Sequence, residues 1–250
     1  MFLRVLLFVV LVIGEIFAAS SDKSVAVLCY HRFSDEVKDS MTIKNSKFIE
    51  QLEWLKSNGY SVVSLDDAMK YLEGKKKLPK KSVVITVDDG HISVYSDLAP
   101  IVKKYKIPVT LFIYPSAISN ASYAMSWEQL SQLEKTGFFR VESHTYYHPN
   151  FKQERKKLSD KDYQTLLNRQ IAGSKKRLED KMAHEIKYLA WPFGIYDDEL
   201  LKYAKEAGYD VAFSIDAAKA VSKKEMINQP RYMVLNSHKL EDFAAMVKVK

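Results

Sequence analysis

Ser82-Val83-Val84-Ile85-Thr86-Val87-Asp88-Asp89-Gly90 is the stretch whose reading decides the fold of this chain. Val83, Val84, Ile85 and Val87 form an almost continuous β-branched run, the pattern of a strand buried on both faces. The run stops at two carboxylates and a glycine. Neighbouring strand residues point to opposite faces, so Asp88 and Asp89 can share one site only if the chain is already turning there. Gly90 permits that turn. Taken alone, Asp-Gly after a strand is also a common turn, with Asp89 free to cap a following helix. A second polar cluster after a strand, His144-Thr145-Tyr146-Tyr147-His148-Pro149, favours a shared site.

Outward from this stretch, apolar runs alternate with helical patterns. Strands are expected at Val25–Tyr30, Tyr60–Leu65, Ser82–Val87, Val109–Tyr114, Phe138–Ser143, Ile186–Trp191, Tyr209–Ile215 and Tyr232–Leu235. Helices are expected at Ser46–Asn58, Asp66–Leu72, Val94–Tyr105, Trp127–Lys135, Asp197–Ala207 and Leu240–Val247. A long, outward-facing polar helix is expected over Ser159–Met182. With no composition break, this order argues for a single α/β domain of about seven to eight parallel strands. Asp88 and Asp89, His144, Pro192 to Gly194, and Asp216 all fall at carboxyl ends of strands, the rim where barrels assemble their sites. An open doubly wound sheet would place its ligand at one switch point, and no glycine-rich phosphate loop is present. The expectation is an irregular β/α barrel.

The 250 residues, 47% hydrophobic, suffice for one substantial core. Residues 1–20 read as a secretory signal, with basic MFLR, the apolar run Val5 to Ile13, and small residues near Ala19 and Ser20. An uncleaved anchor is the alternative, although Glu15 shortens the run below the ~20 residues that spanning requires. Residues 21–250 form the domain, exported to the periplasm or beyond. Cys29 is the single cysteine, so no internal disulfide forms, and its apolar setting makes it a buried small residue. The net charge of +7 favours peripheral contact with anionic envelope polymers, and no nucleic-acid-binding motif is present. The oligomeric state is not readable.

His144 and His148 are four apart, so one helical turn after the strand would bring both imidazoles to one side. With one carboxylate from Asp88-Asp89 they make a two-histidine, one-carboxylate set, used by zinc hydrolases and open to other divalent transition metals. The second aspartate is then free to act as a base on water acidified by the cation.

Thr86-Val87-Asp88-Asp89-Gly90, His144-Thr145-Tyr146-Tyr147-His148-Pro149 and Pro192-Phe193-Gly194 resemble, in order and separation, the three leading motifs of the polysaccharide deacetylase family (the NodB homology domain, carbohydrate esterase family 4). CYHRF and PVTLFIYP are similar to its secreted branch that deacetylates poly-N-acetylglucosamine. The resemblance covers Val25 to the C-terminus. It implies a metal-dependent hydrolase removing N-acetyl groups from an N-acetylglucosamine polysaccharide, peptidoglycan or an exopolysaccharide. Asp88 is cast as general base, Asp89, His144 and His148 as ligands of a divalent metal, often zinc, and the Phe193 backbone N–H as an oxyanion donor. Hydrolysis of another acyl or amide bond, or sugar binding without catalysis, are the alternatives.

Three departures from the family pattern stand out. Many members carry an arginine two residues before the third-motif proline, where it orients the base; here that position is Ala190. Arg231, after Pro230, is a candidate for that charge and is grouped with His31 and Trp191 on the substrate side of the pocket. His238 is near the place of the family's general acid, although Ser237-His238-Lys239-Leu240 reads equally as a helix start. Asp216 only loosely resembles the acidic residue of a fourth motif.

Overall fold

The computed structural model describes residues 23–37, 39–222 and 226–248. The expected leader, residues 1–20, lies outside them. The strands are β1 (Ser24–Tyr30), β2 (Arg32–Phe33), β3 (Thr42–Ile43), β4 (Ser61–Val62), β5 (Ser82–Asp88), β6 (Val109–Ile113), β7 (Phe139–Ser143), β8 (Tyr188–Ala190), β9 (Val211–Phe213), β10 (Ala220–Val221) and β11 (Tyr232–Met233). The helices are α1 (Asn45–Ser57), α2 (Leu65–Leu72), α3 (Ala99–Tyr105), α4 (Trp127–Lys135), α5 (Phe151–Lys157), α6 (Asp160–Gln170), α7 (Ala172–Met182), α8 (Asp198–Glu206) and α9 (Leu240–Val247).

The main sheet runs β10-β1-β5-β6-β7-β8-β9, with β4 beside β5 and β11 beside β1. All of its pairings are parallel except β1 with the short β10, and the strands paired in parallel, β1, β4 to β9 and β11, agree with the seven to eight expected. Parallel pairing sends the strand ends to one rim, and the sheet curls into the expected irregular barrel. Its two edges are bridged by one late stretch: Ile227 and Gln229 pair with β9 through backbone hydrogen bonds at Ala212 and Ser214, and β11 then pairs with β1.

Strand alternation sorts the core in two. Ala26, Leu28, Ile85, Val87, Leu111, Ile113, Val141 and Leu189 face outward under the helices. Val25, Val27, Val84, Phe112, Tyr188, Ala190, Val211 and Phe213 face inward. Helix α2 plugs this interior with Leu65, Ala68, Met69 and Leu72, each large side chain contributing roughly 1.5–3 kcal/mol by burial. Ser64 starts that helix by accepting the Asp67 N–H.

Four local expectations are corrected. The strand over Tyr60–Leu65 shrinks to β4, because Ser64 and Leu65 are taken by the start of α2. The helix over Val94–Tyr105 opens as a π-helical turn, Val94–Leu98. A helix not expected, α5, follows Pro149 with Asn150 as its cap. The long polar helix is broken at Ile171 into α6 and α7, and it is not wholly outward facing, since Gln170 and Ser174 are fully buried. Among the described residues no helix is long and apolar enough to cross a membrane.

Candidate active site

The carboxyl rim brings Asp88, Asp89, His144 and His148 together. Asp88 ends β5 with its side chain inward. Asp89 escapes strand alternation because it adopts φ +75°, as does Gly90 after it. A left-handed aspartate is uncommon and uncomfortable, and such conformations concentrate at functional sites. The turn lets two adjacent carboxylates enter one site.

They enter it with different partners. Arg231 grips Asp88 with both arms of its guanidinium, Nη1 to Oδ1 at 2.8 Å and Nη2 to Oδ2 at 2.7 Å. Its remaining donors reach Thr86 Oγ1 (3.1 Å) and the Ser214 carbonyl (3.3 Å). The Cys29 thiol donates to Asp88 Oδ2 at 3.3 Å, and burial keeps it a thiol by raising its pKa well above the ordinary value. Burial alone would raise the Asp88 pKa, but the charge and the hydrogen bonds of Arg231 outweigh it and hold the carboxyl well below the usual range. Asp89 shifts the other way: burial and the Asp88 charge push its pKa up.

Asp89 Oδ1 faces His144 Nε2 at 3.6 Å and His148 Nε2 at 3.7 Å, and the two rings are 4.6 Å apart. His144 Nδ1 donates to the Ala190 carbonyl at 2.8 Å, which fixes the tautomer and leaves Nε2 with its lone pair toward Asp89. Burial, with help from His148, brings the His144 pKa down to about 3, and burial lowers that of His148. Two neutral imidazoles and a carboxylate, their donor atoms within 4.8 Å of one another, suit a divalent cation. The fit rests on this donor set and on the fixed His144 tautomer.

The expected helical turn between the histidines is absent. Thr145 and His148 adopt φ +63° and +59°, and an irregular loop brings the imidazoles together. Gln170 Oε1 accepts the N–H groups of Tyr146 and Tyr147, and Ser174 Oγ donates to the Thr145 carbonyl. These two buried residues straddle the break between α6 and α7. They went unseen in sequence because a glutamine and a serine in a polar helix look like surface.

The third motif forms a 3₁₀ turn, Pro192–Gly194. Phe193 has φ +56°, is 57% exposed, and sets its ring edge-on to His148 at 4.7 Å. Its N–H has no partner among the described residues. Gly194 could not be replaced cheaply: a Cβ there would stand 2.4 Å from Ile215 Cγ1, and φ is +67°.

Two residues expected on the substrate side are buried instead. Trp191 is 1% exposed and packs edge-on against Phe151, because Ala190 faces the interior and its neighbour must face the helices. Arg231 is 0% exposed and sits behind Asp88, in the place where the missing charge at Ala190 was expected to act. His31 follows β1 at the same rim, and its donor atom lies within 4.8 Å of those of Cys29 and Asp88. Its Nδ1 is buried without a hydrogen-bond partner. His238 is engaged elsewhere: Nδ1 accepts the Leu235 N–H and its carbonyl accepts from Lys47, just ahead of α9. Asp216 holds Tyr196 and Ser214 through Oδ2.

A curled parallel barrel with a carboxylate and two imidazoles converging at its carboxyl rim, beside a second, arginine-bound carboxylate, offers the donor set of a metal-assisted hydrolase. A family model described as polysaccharide deacetylase matches residues 75–212, and the chain belongs to the polysaccharide deacetylase family. A poly-beta-1,6-N-acetyl-D-glucosamine N-deacetylase from Staphylococcus aureus is 29% identical over 205 residues, covering 80% of this chain and 70% of the relative. The solved structure of IcaB from Ammonifex degensii is 25% identical, with a TM-score of 0.75 over 92% of this chain and 98% of that one. The Streptococcus pyogenes deacetylase PplD in complex with acetate is similar in fold, with a TM-score of 0.79 at 20% identity over 92% of this chain and all of its own.

Proposed function

We propose that this chain hydrolyses the acetamide groups of an N-acetylglucosamine polymer, with a β-1,6-linked chain as the first substrate to try, and that zinc assists. The observation that carries this reading is the opposite engagement of the two neighbouring aspartates, one locked to Arg231 and the other facing two imidazoles. The substrate named for the staphylococcal relative supports the choice of polymer.

Asp89, His144 and His148 would hold the cation. When bound, it supplies positive charge that acidifies water and polarises the acetamide carbonyl. Asp88 takes the proton of the attacking water. Geometry rather than basicity recommends it, because Arg231 fixes the plane of the carboxylate while keeping it charged. As the water oxygen bonds to the carbonyl carbon, the free Phe193 N–H donates to the developing oxyanion. The C–N bond then breaks, acetate leaves, and the nitrogen takes a proton to depart as the sugar amine. We assign that proton to His31, which has a ring nitrogen within 4.8 Å of the Asp88 carboxylate and a buried, unpartnered Nδ1, rather than to His238, which is held by the Leu235 N–H just ahead of α9.

On this assignment His31→Ala lowers turnover by about a hundredfold or more, while His238→Ala leaves it near normal. Initial rates for both variants, with folding checked by circular dichroism, decide between them. The reverse result would restore His238 as the acid.

The whole reading is tested by acetate release from poly-β-1,6-N-acetylglucosamine and from peptidoglycan, after chelation and after adding zinc. Release that disappears on chelation and returns with metal is expected, with about one metal bound per chain, as three protein ligands allow. A folded chain that binds no metal, or that binds it and releases no acetate, overturns the proposal. Residues 1–20 support export, and the net charge of +7 supports contact with anionic envelope polymers outside the cell membrane.

A further inference from the structure

Three of the four large hydrophobic side chains most exposed among the described residues are aromatic: Tyr123, Tyr147 and Phe193. Phe193 touches the His148 ring on one side of the site. Across it, the Tyr114 ring lies 5.4 Å from His148, and the Tyr114 hydroxyl meets the Tyr123 hydroxyl at 2.7 Å. Phe193, His148, Tyr114 and Tyr123 therefore form one continuous run of contacts that passes through the proposed ligand His148.

Tyr123 is unusual in being 44% exposed and yet firmly held. Its carbonyl accepts the Ile92 N–H at 2.7 Å, and the next residue, Ala124, pairs as an antiparallel bridge with His91. Its ring stacks on the His91 imidazole, 6.3 Å between centroids and 13° from parallel. That imidazole is itself fixed by Ser93, whose N–H and hydroxyl both lie against Nδ1. One face of Tyr123 is thus backed by protein, leaving the other to solvent. The entropy of ordering the ring is lost on folding rather than on binding. Burying an aromatic side chain removes some 150–250 Å² from water, far below the ~1,000 Å² that a specific protein partner needs. The patch is sized for one small flat ligand with an apolar face.

We propose that Tyr123 is the stacking platform for a second N-acetylhexosamine ring, one position along the polymer from the sugar being deacetylated. This rests on the function proposed above and adds a binding subsite to it. The C–H face of a pyranose lies on the open face of Tyr123, and the Tyr114 hydroxyl keeps the ring in register with the site. The enzyme consequently prefers chains to short fragments.

The test is acetate release from a ladder of N-acetylglucosamine substrates, from the monosaccharide to the hexamer, by wild type, Tyr123→Ala, Tyr123→Leu and Tyr123→Phe. Tyr123→Ala and Tyr123→Leu are expected to raise KM for the longer oligomers about tenfold, the value of one aromatic contact, with kcat unchanged. On the monosaccharide, which leaves the subsite empty, they match wild type. Tyr123→Phe keeps the flat face and the wild-type KM at every length. Should Tyr123→Ala not fold, the leucine variant, which keeps bulk without a flat face, carries the same expectation. Equal effects at all lengths, no effect at any, or loss of kcat in Tyr123→Phe would overturn the subsite. Wild type releasing no acetate from any oligomer or polymer would instead overturn the proposed function, and the subsite with it.

Discussion

Arg231→Met is expected to lower the stability of the domain by roughly 3–5 kcal/mol, because it strands the buried Asp88 carboxylate without its partner. For a domain of this size that is a fall in Tm of about 10 °C. The cost comes from the unpaired charge rather than from lost volume, since methionine fills most of the same space over Phe112. Removing both charges in Asp88→Leu/Arg231→Met should therefore recover much of the loss, as replacing a buried ion pair by apolar groups commonly does. Urea unfolding of the single and double variants measures both effects. A single variant with the wild-type midpoint would mean that the pair contributes nothing to folding. Arg231→Lys keeps the charge but not the two-armed grip, so it is expected to fold and to lose turnover by at least tenfold, through a misoriented Asp88.

The two neighbouring aspartates should fail differently. Asp88→Asn is expected to keep the metal and lose two or more orders of magnitude in turnover, because it removes the proton acceptor. Asp89→Asn weakens a charged ligand, so metal content and turnover should fall together. Asparagine preserves shape in both, and working well below the unfolding temperature separates the chemistry from the stability cost of an uncompensated Arg231. Metal stoichiometry measured beside the deacetylation rate reads the result. If Asp88→Asn were the variant that lost metal, the assignment of the pair would be reversed.

The parts of this site that sequence reveals are those written in contiguous residues. The β-branched run into Asp88-Asp89-Gly90, the His-x-x-x-His spacing and the Pro-Phe-Gly turn each announce a strand end, and all three lie at one rim. What joins them is less legible. Trp191 was expected on the substrate side because β8 is buried on both faces, and such a strand gives no alternation to say which side is the interior. Glu142 shows the same difficulty. It is a charged residue inside the barrel, where it accepts the N–H groups of Lys187 and Tyr188 beside the single Ser143–Leu189 pairing. Its burial raises its pKa to about 7 against those hydrogen bonds. Gln170 and Ser174 were hidden because only the break at Ile171 turns them toward the histidine loop. Arg231 was legible as a candidate charge, but its partner lies 143 positions away, and no local pattern spans that distance.

That separation also sets an order in time. A chain leaves the ribosome N-terminal end first, so Asp89, His144 and His148 are all made well before Arg231. The stretch bearing Arg231 is also the one that ties β9 to β1. An unfinished chain therefore carries all three proposed metal ligands while lacking both the clasp that shuts its barrel and the arginine proposed to aim its base. On the proposed function, closure and competence arrive in the same few residues, and incomplete copies are expected to be inert toward the polymer even where they capture a cation.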